Sequence, residues 1–283
     1  MTRSELLRTW TFEPVLVVAL VVTTILYARG TARLRQRITG TARLGRALSF
    51  YGGLLALAAA LMSPIDALSA ALFSAHMVQH LLLMVVAAPL LVLARPIGAL
   101  VAGLPEGGRD AVRAVRSEGV RGAARTLTHP VVVWIVGTVA VWAWHMPSLY
   151  EAALANDALH VAEHASFLGA AVLFWSVVLG SGTRRGPAAR PIAALLVFAN
   201  GVQGTALGAV LLFASTALYP VHAAGARVWG TTPLEDQQLA GALMWGPPAF
   251  VYLVTLGWLL VRWFAEMEPA SPDRLLVATG ERP

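Results

Sequence analysis

Seven apolar runs, each near the roughly 17–25 residues that a helix needs to cross a hydrocarbon core, constrain this chain more than any other feature. They cover 10–28, 47–62, 71–94, 131–145, 158–180, 191–213 and 239–264, and the second and fourth are short enough to need a few flanking residues. Inside a bilayer every backbone N–H and C=O must find a partner within the protein, and a single apolar run does so as a helix. The expected fold class is all-α: a polytopic membrane protein built as a bundle of seven transmembrane helices. The first run leads into an Arg-rich loop and not into a small-residue cleavage site, so it is expected to be retained as a span. One membrane domain is expected over 1–268, with 269–283 as a loose cytoplasmic tail.

Composition agrees with this class. Hydrophobic residues make up 57% of the chain and charged residues 13%, about half the usual share in soluble domains. Cysteine is absent, which excludes thiolate zinc sites, Cys-ligated iron–sulfur clusters and Cys nucleophiles.

The net charge is +6, and all 21 basic residues are Arg. A basic balance often signals nucleic acid, but here its distribution points to a lipid bilayer. Eighteen Arg fall on one side of the seven-span topology, and only Arg3, Arg8 and Arg227 on the other. By the positive-inside rule the N-terminus is outside and the C-terminus cytoplasmic. In the longest connection, 95–130, Arg109, Arg113 and Arg116 recur at i, i+4 and i+7. That stripe fits either a short amphipathic helix on the anionic inner leaflet or a solvated loop.

Six of the seven histidines then fall at the outer face; His129 alone lies at the inner one. His76 and His80 open the third run, His160 and His164 open the fifth, His145 closes the fourth, and His222 lies in the last outer loop. Each i, i+4 pair stacks on one helix face. Both pairs begin about five residues into helices running in the same direction, so they are expected at matched depth, with Met84 one turn below His80. If the third and fifth spans touch, four imidazoles converge. Ionisable groups in a bilayer are costly and mark function, so this is the candidate metal or haem site. Asp66, Glu163, Asp236 and Met244 lie at the same face. Thr232-Pro233-Leu234-Glu235 reads as a capping box with Pro at the first helical position.

Four chemistries compete for these residues. A thiol-free His/Met site at an outer face suits copper, because imidazole binds copper and thioether selects Cu(I). Two facing histidines could instead hold a haem, although membrane haems usually separate their ligands along the helix. His160-Val161-Ala162-Glu163-His164 matches the H-x-x-E-H spelling of a zinc protease with Glu163 as base, but no third ligand is specified. Asn200-Gly201-Val202-Gln203-Gly204 could break the sixth span as in a transporter, or serve as a small-residue packing interface.

Four blocks, in order along the chain, carry a family resemblance. They are Ser74-Ala75-His76-Met77-Val78-Gln79-His80 with Ala88-Pro89-Leu90; Trp144-His145-Met146-Pro147 with Tyr150-Glu151-Ala152-Ala153-Leu154; His160, Glu163 and His164 with Phe174-Trp175; and Asp236-Gln237 with Gly241 and Met244-Trp245. Together they resemble the CtaG family of cytochrome c oxidase assembly factors of Gram-positive bacteria. The resemblance implies a multi-pass protein of the plasma membrane, not an enzyme, that matures a haem–copper oxidase, with copper delivery as its proposed role. The positions it carries over are His76, His80, His145, His160, His164 and Asp236, with Met77 and Met244 beside them. It implies an oxidase subunit as partner and a separate extracytoplasmic copper donor.

Overall fold

The computed structural model describes residues 5, 8–36, 40–115, 117–180 and 188–267, and among these every regular element is helical. The expected tail at 269–283 lies outside the described residues. In chain order the helices are α1 Pro14–Arg33, α2 Gly40–Met62, α3 Pro64–Ser69, α4 Phe73–Ala94, α5 Pro96–Gly103, α6 Glu106–Val115 and α7 Glu118–Leu127. They continue with α8 Pro130–Trp144, α9 Pro147–Ala155, α10 Asp157–Gly180, α11 Ala189–Leu212, α12 Ala223–Trp229 and α13 Pro233–Met267. Six of them, α1, α2, α4, α10, α11 and α13, are long and apolar enough to cross a membrane. The fourth expected span differs. α8 has 15 residues and meets α7 at a 64° bend, so a seventh span requires the two together. The cause is local: His129 is extended and Pro130 starts α8, and a residue before proline is pushed out of helical geometry.

Among its described residues the connection 95–130 is mostly helical, as α5, α6 and α7. α6 and α7 bury no residue and carry charge on one face, consistent with the amphipathic reading. Both also hold their own ion pairs, such as Arg113 to Asp110 at 2.9 Å. α5 instead is apolar and packs on α1 at backbone contact. A Cβ on Gly30 would fall 1.7 Å from the Ala99 carbonyl oxygen, and one on Gly103 would fall 2.0 Å from that of Leu26. Large apolar side chains point outward along the long helices; Val15 is 81% exposed and Val261 68%. Such a surface is stable against lipid tails and not against water.

Two features position the site. α11 and α13 pack closely through glycine: a Cβ on Gly241 would lie 2.6 Å from the Leu212 nitrogen. The Asn200–Gly204 stretch therefore stays inside an unbroken α11, where Asn200 donates to the Tyr252 hydroxyl at 2.9 Å, as its packing role predicts. α4 is not a uniform α-helix. Residues Leu82–Ala87 form a π-helical turn just below His80. A π turn leaves carbonyls poorly aligned with the α-helical ladder, and the Trp175 indole of α10 donates to the Met84 carbonyl at 2.9 Å.

Candidate metal centre

The two histidine pairs occupy the same register: His76 and His80 are the fourth and eighth residues of α4, and His160 and His164 the fourth and eighth of α10. α4 and α10 pack together, so the pairs meet. The ring centroids of His76 and His164 are 6.1 Å apart, and those of His80 and His164 5.3 Å. Glu163 enters from α10 between them. Its Oε1 lies 3.6 Å from Nε2 of His76 and 3.6 Å from Nε2 of His80, and the side chains of His76 and Glu163 are wholly buried. One ligand atom each from His76, His80, Glu163 and His164 fall within 4.8 Å of one another.

These atoms are too far apart to hydrogen-bond, and they have nothing else. Both ring nitrogens of His76 and of His80, both oxygens of Glu163 and Nε2 of His160 and of His164 are buried without a hydrogen-bond partner. Each buried polar atom left unsatisfied costs about 1–3 kcal/mol, more if charged. Three imidazoles and a carboxylate facing one point are what a divalent ion asks for. Metal–ligand bonds near 2.0–2.1 Å put tetrahedral ligand atoms about 3.4 Å apart, close to the 3.6 Å from Glu163 to His76 and to His80, in a set whose atoms all lie within 4.8 Å. The residues fit a metal ion.

The other expected residues are placed differently. The His160 ring lies beside the cluster, 4.3 Å from that of His164 and 5.5 Å from that of His76, outside the tightest set. His145 turns toward Met77, with Nε2 3.3 Å from Sδ. Met244 lines a small cavity with Met77, Met84, His80 and His145. Asp236 is not at the cluster. Its carboxylate accepts the Phe73 N–H at 2.7 Å and the Ser74 N–H at 3.3 Å, and bonds the Ser74 hydroxyl, capping α4 from α13. The capping box also forms as expected: Thr232 N–H donates to Glu235 at 2.8 Å and Glu235 N–H to Thr232 Oγ1 at 3.2 Å.

Glu163 was open to sequence reasoning as the base of a protease spelling, not as a partner of the four imidazoles. Its signal is its spacing: it is three residues after His160 and adjacent to His164, on the same helix face. His222 also has a role that spacing could not suggest. It accepts the Tyr150 hydroxyl at 2.7 Å on Nε2, forming a roof over Phe73. Burial pushes the His222 imidazole below its usual pKa, against the pull of Asp236, and pushes the Tyr150 phenol up.

A family described as cytochrome c oxidase caa3 assembly factor matches residues 25–266. The chain belongs to that family. Among curated proteins, an uncharacterized protein of Mycobacterium bovis is 25% identical over 291 residues, which cover 99% of this chain and 42% of the relative. A Mycobacterium tuberculosis protein matches to the same extent. One from Mycobacterium leprae is 23% identical over 264 residues, 90% of this chain and 39% of its own length. The chain thus spans about two-fifths of the length of these relatives. No solved structure matches it.

Proposed function

We propose that this assembly factor carries copper and delivers it to a haem–copper oxidase subunit. The observation that carries the proposal is the buried, hydrogen-bond-free group His76, His80, His164 and Glu163. Imidazole and carboxylate suit Cu(II) and Zn(II), and the thioethers of Met77 and Met244 nearby favour copper of the two. The adjoining cavity, about 60 Å³, favours an ion over a haem, because cofactor pockets run to roughly 300–1,000 Å³. The protein acts as a non-catalytic carrier, and Glu163 serves as a ligand and not as the base of a protease.

The Arg distribution supports an arrangement with seven spans in the plasma membrane, the N-terminus outside and the C-terminus cytoplasmic. The starts of α4 and α10 then bring the cluster to the extracytoplasmic face, where a separate copper donor and the oxidase subunit are both within reach. His129 caps the far end of α8, whose 15 residues span about 22 Å.

Metal analysis of the detergent-purified chain tests this. Copper is expected to copurify or bind on addition. Cu(II) binding is lost in His76→Ala, His80→Ala and His164→Ala and kept in His129→Ala. A Soret band, or Cu(II) bound in full by all three cluster variants, overturns the proposal. Because the chain has no cysteine, Ser117→Cys reports topology cleanly. Labelling of intact cells by an impermeant maleimide overturns the orientation.

A further inference from the structure

A second group of metal-binding atoms sits beside the histidine–glutamate cluster and has different chemistry. His145 Nδ1 lies 2.6 Å from the Val141 carbonyl oxygen. A carbonyl only accepts, so Nδ1 carries the proton. Among the described residues no carboxylate lies within ion-pair distance of His145, and the residue is 7% exposed. A charged imidazole there would be buried and unpaired, so the ring is neutral and Nε2 presents a bare lone pair. That lone pair faces the Met77 sulfur at 3.3 Å, and Met77 is 1% exposed. A thioether has no hydrogen to donate. Two electron-pair donors therefore confront each other in a buried place with no proton between them, an arrangement that a soft cation turns from repulsive to attractive.

The surroundings complete the site. The cavity of about 60 Å³ is lined by both residues and by Met84, Met244 and His80. Three thioethers around one imidazole form a soft donor set, and such sets select monovalent copper over zinc or Cu(II). We propose that Met77 Sδ and His145 Nε2, with a further thioether from the cavity wall, form a cuprous site distinct from the His76, His80, His164 and Glu163 site. The inference rests on the copper-carrier reading only for the identity of the natural ion.

His80 forms the wall between the two sites. It lines the cavity, its ring centroid is 6.3 Å from that of His145, and its Nε2 is 3.6 Å from Glu163. Imidazole also binds copper, so a cuprous ion can pass from thioether to imidazole by ligand exchange at His80 with no change of oxidation state.

Ag(I), a closed-shell soft ion that does not change oxidation state, is the probe for the cuprous site, and Zn(II) for the other. Both are titrated into the detergent-purified full chain. Met77→Leu conserves volume and keeps the fold; size-exclusion and circular dichroism check this. Met77→Leu and His145→Ala are expected to weaken Ag(I) binding about tenfold or more, leaving Zn(II) binding unchanged. His164→Ala is expected to do the reverse. The silver X-ray absorption edge should show a sulfur neighbour that disappears in Met77→Leu. Unchanged Ag(I) affinity in Met77→Leu, or no sulfur neighbour in the wild type, overturns the second site while Zn(II) binding leaves the first intact. Absence of Zn(II) and Cu(II) binding in the wild type, with Ag(I) still held by Met77, overturns the first alone.

Discussion

Asp236 holds Phe73 by its backbone. The carboxylate of α13 takes the Phe73 N–H at 2.7 Å, across 163 residues of sequence, at the helix end that carries His76 one turn later. A carboxylate at a helix N-terminus satisfies free N–H groups and complements the positive end of the helix dipole. Here it also ties the start of α4 to α13, one turn before His76.

Asp236→Ala is therefore expected to act through position and not through ligation. Loss of a charge-assisted cap with several donors should cost about 1.5–3 kcal/mol. Thermal unfolding in detergent should show this loss in metal-free protein, and metal affinity should fall less than in His80→Ala. A loss of metal as complete as in His80→Ala, with stability unchanged, would show that Asp236 ligates instead.

Glu163→Gln separates stability from binding. The carboxylate is wholly buried with no hydrogen-bond partner on either oxygen, so a neutral side chain of the same shape is easier to bury. The variant is expected to be at least as stable as the parent without metal, and to bind divalent metal about tenfold or more weakly, because it has lost an anionic ligand. Measuring melting temperature with and without Zn(II) checks both signs. Destabilisation of the metal-free protein would show that Glu163 is structural.

His222 gives a pH dependence whose sign can be worked out. Burial holds its pKa below the usual 6.5 in the folded protein. As pH falls below about 6.5 the unfolded chain takes up a proton that the folded chain does not, so stability is lost on the acid side and is full above it. Asp236 faces His222 and pulls the other way without reversing the shift. His222→Gln should reduce the drop in melting temperature between about pH 7.5 and about pH 5. An equal drop in both proteins would remove His222 from the account.

Much of this arrangement was legible in the sequence, and the gaps have physical causes. The i, i+4 spacing of His76–His80 and His160–His164 sets one helix face each, and equal placement near two helix starts sets equal depth; both held. The capping box at Thr232 and Glu235 is local and was equally visible. Asp236 was not, because a cap supplied from another helix has no spacing signature. The fourth run, 131–145, coincides with α8, but α8 reaches a full span only together with α7, from which Pro130 and the extended His129 divide it at 64°. Hydropathy measures what lipid tolerates and does not register a bend. The π turn at Leu82–Ala87 is also silent in sequence, since no residue type marks it.

That π turn carries the last prediction. Regular α-helix through Leu82–Ala87 would place Met84 directly below His80 on one stripe, as i, i+4 spacing implies. The π turn begins just after His80, and Met84 lines the same cavity as His80, Met77 and His145. Trp175 is the outside support for this geometry: it is 2% exposed, and its indole N–H donates to the Met84 carbonyl at 2.9 Å. Trp175→Phe keeps an aromatic ring in the core and removes the donor, leaving a buried carbonyl unsatisfied at about 1–3 kcal/mol. The backbone at Met84 can avoid that cost only by shifting to another partner, and the Met84 side chain in the cavity wall shifts with it. Trp175→Phe is therefore expected to lower stability and to weaken Ag(I) binding at the thioether site more than Zn(II) binding at the histidine–glutamate site. Equal weakening of both metals would mean that Trp175 only holds the fold together.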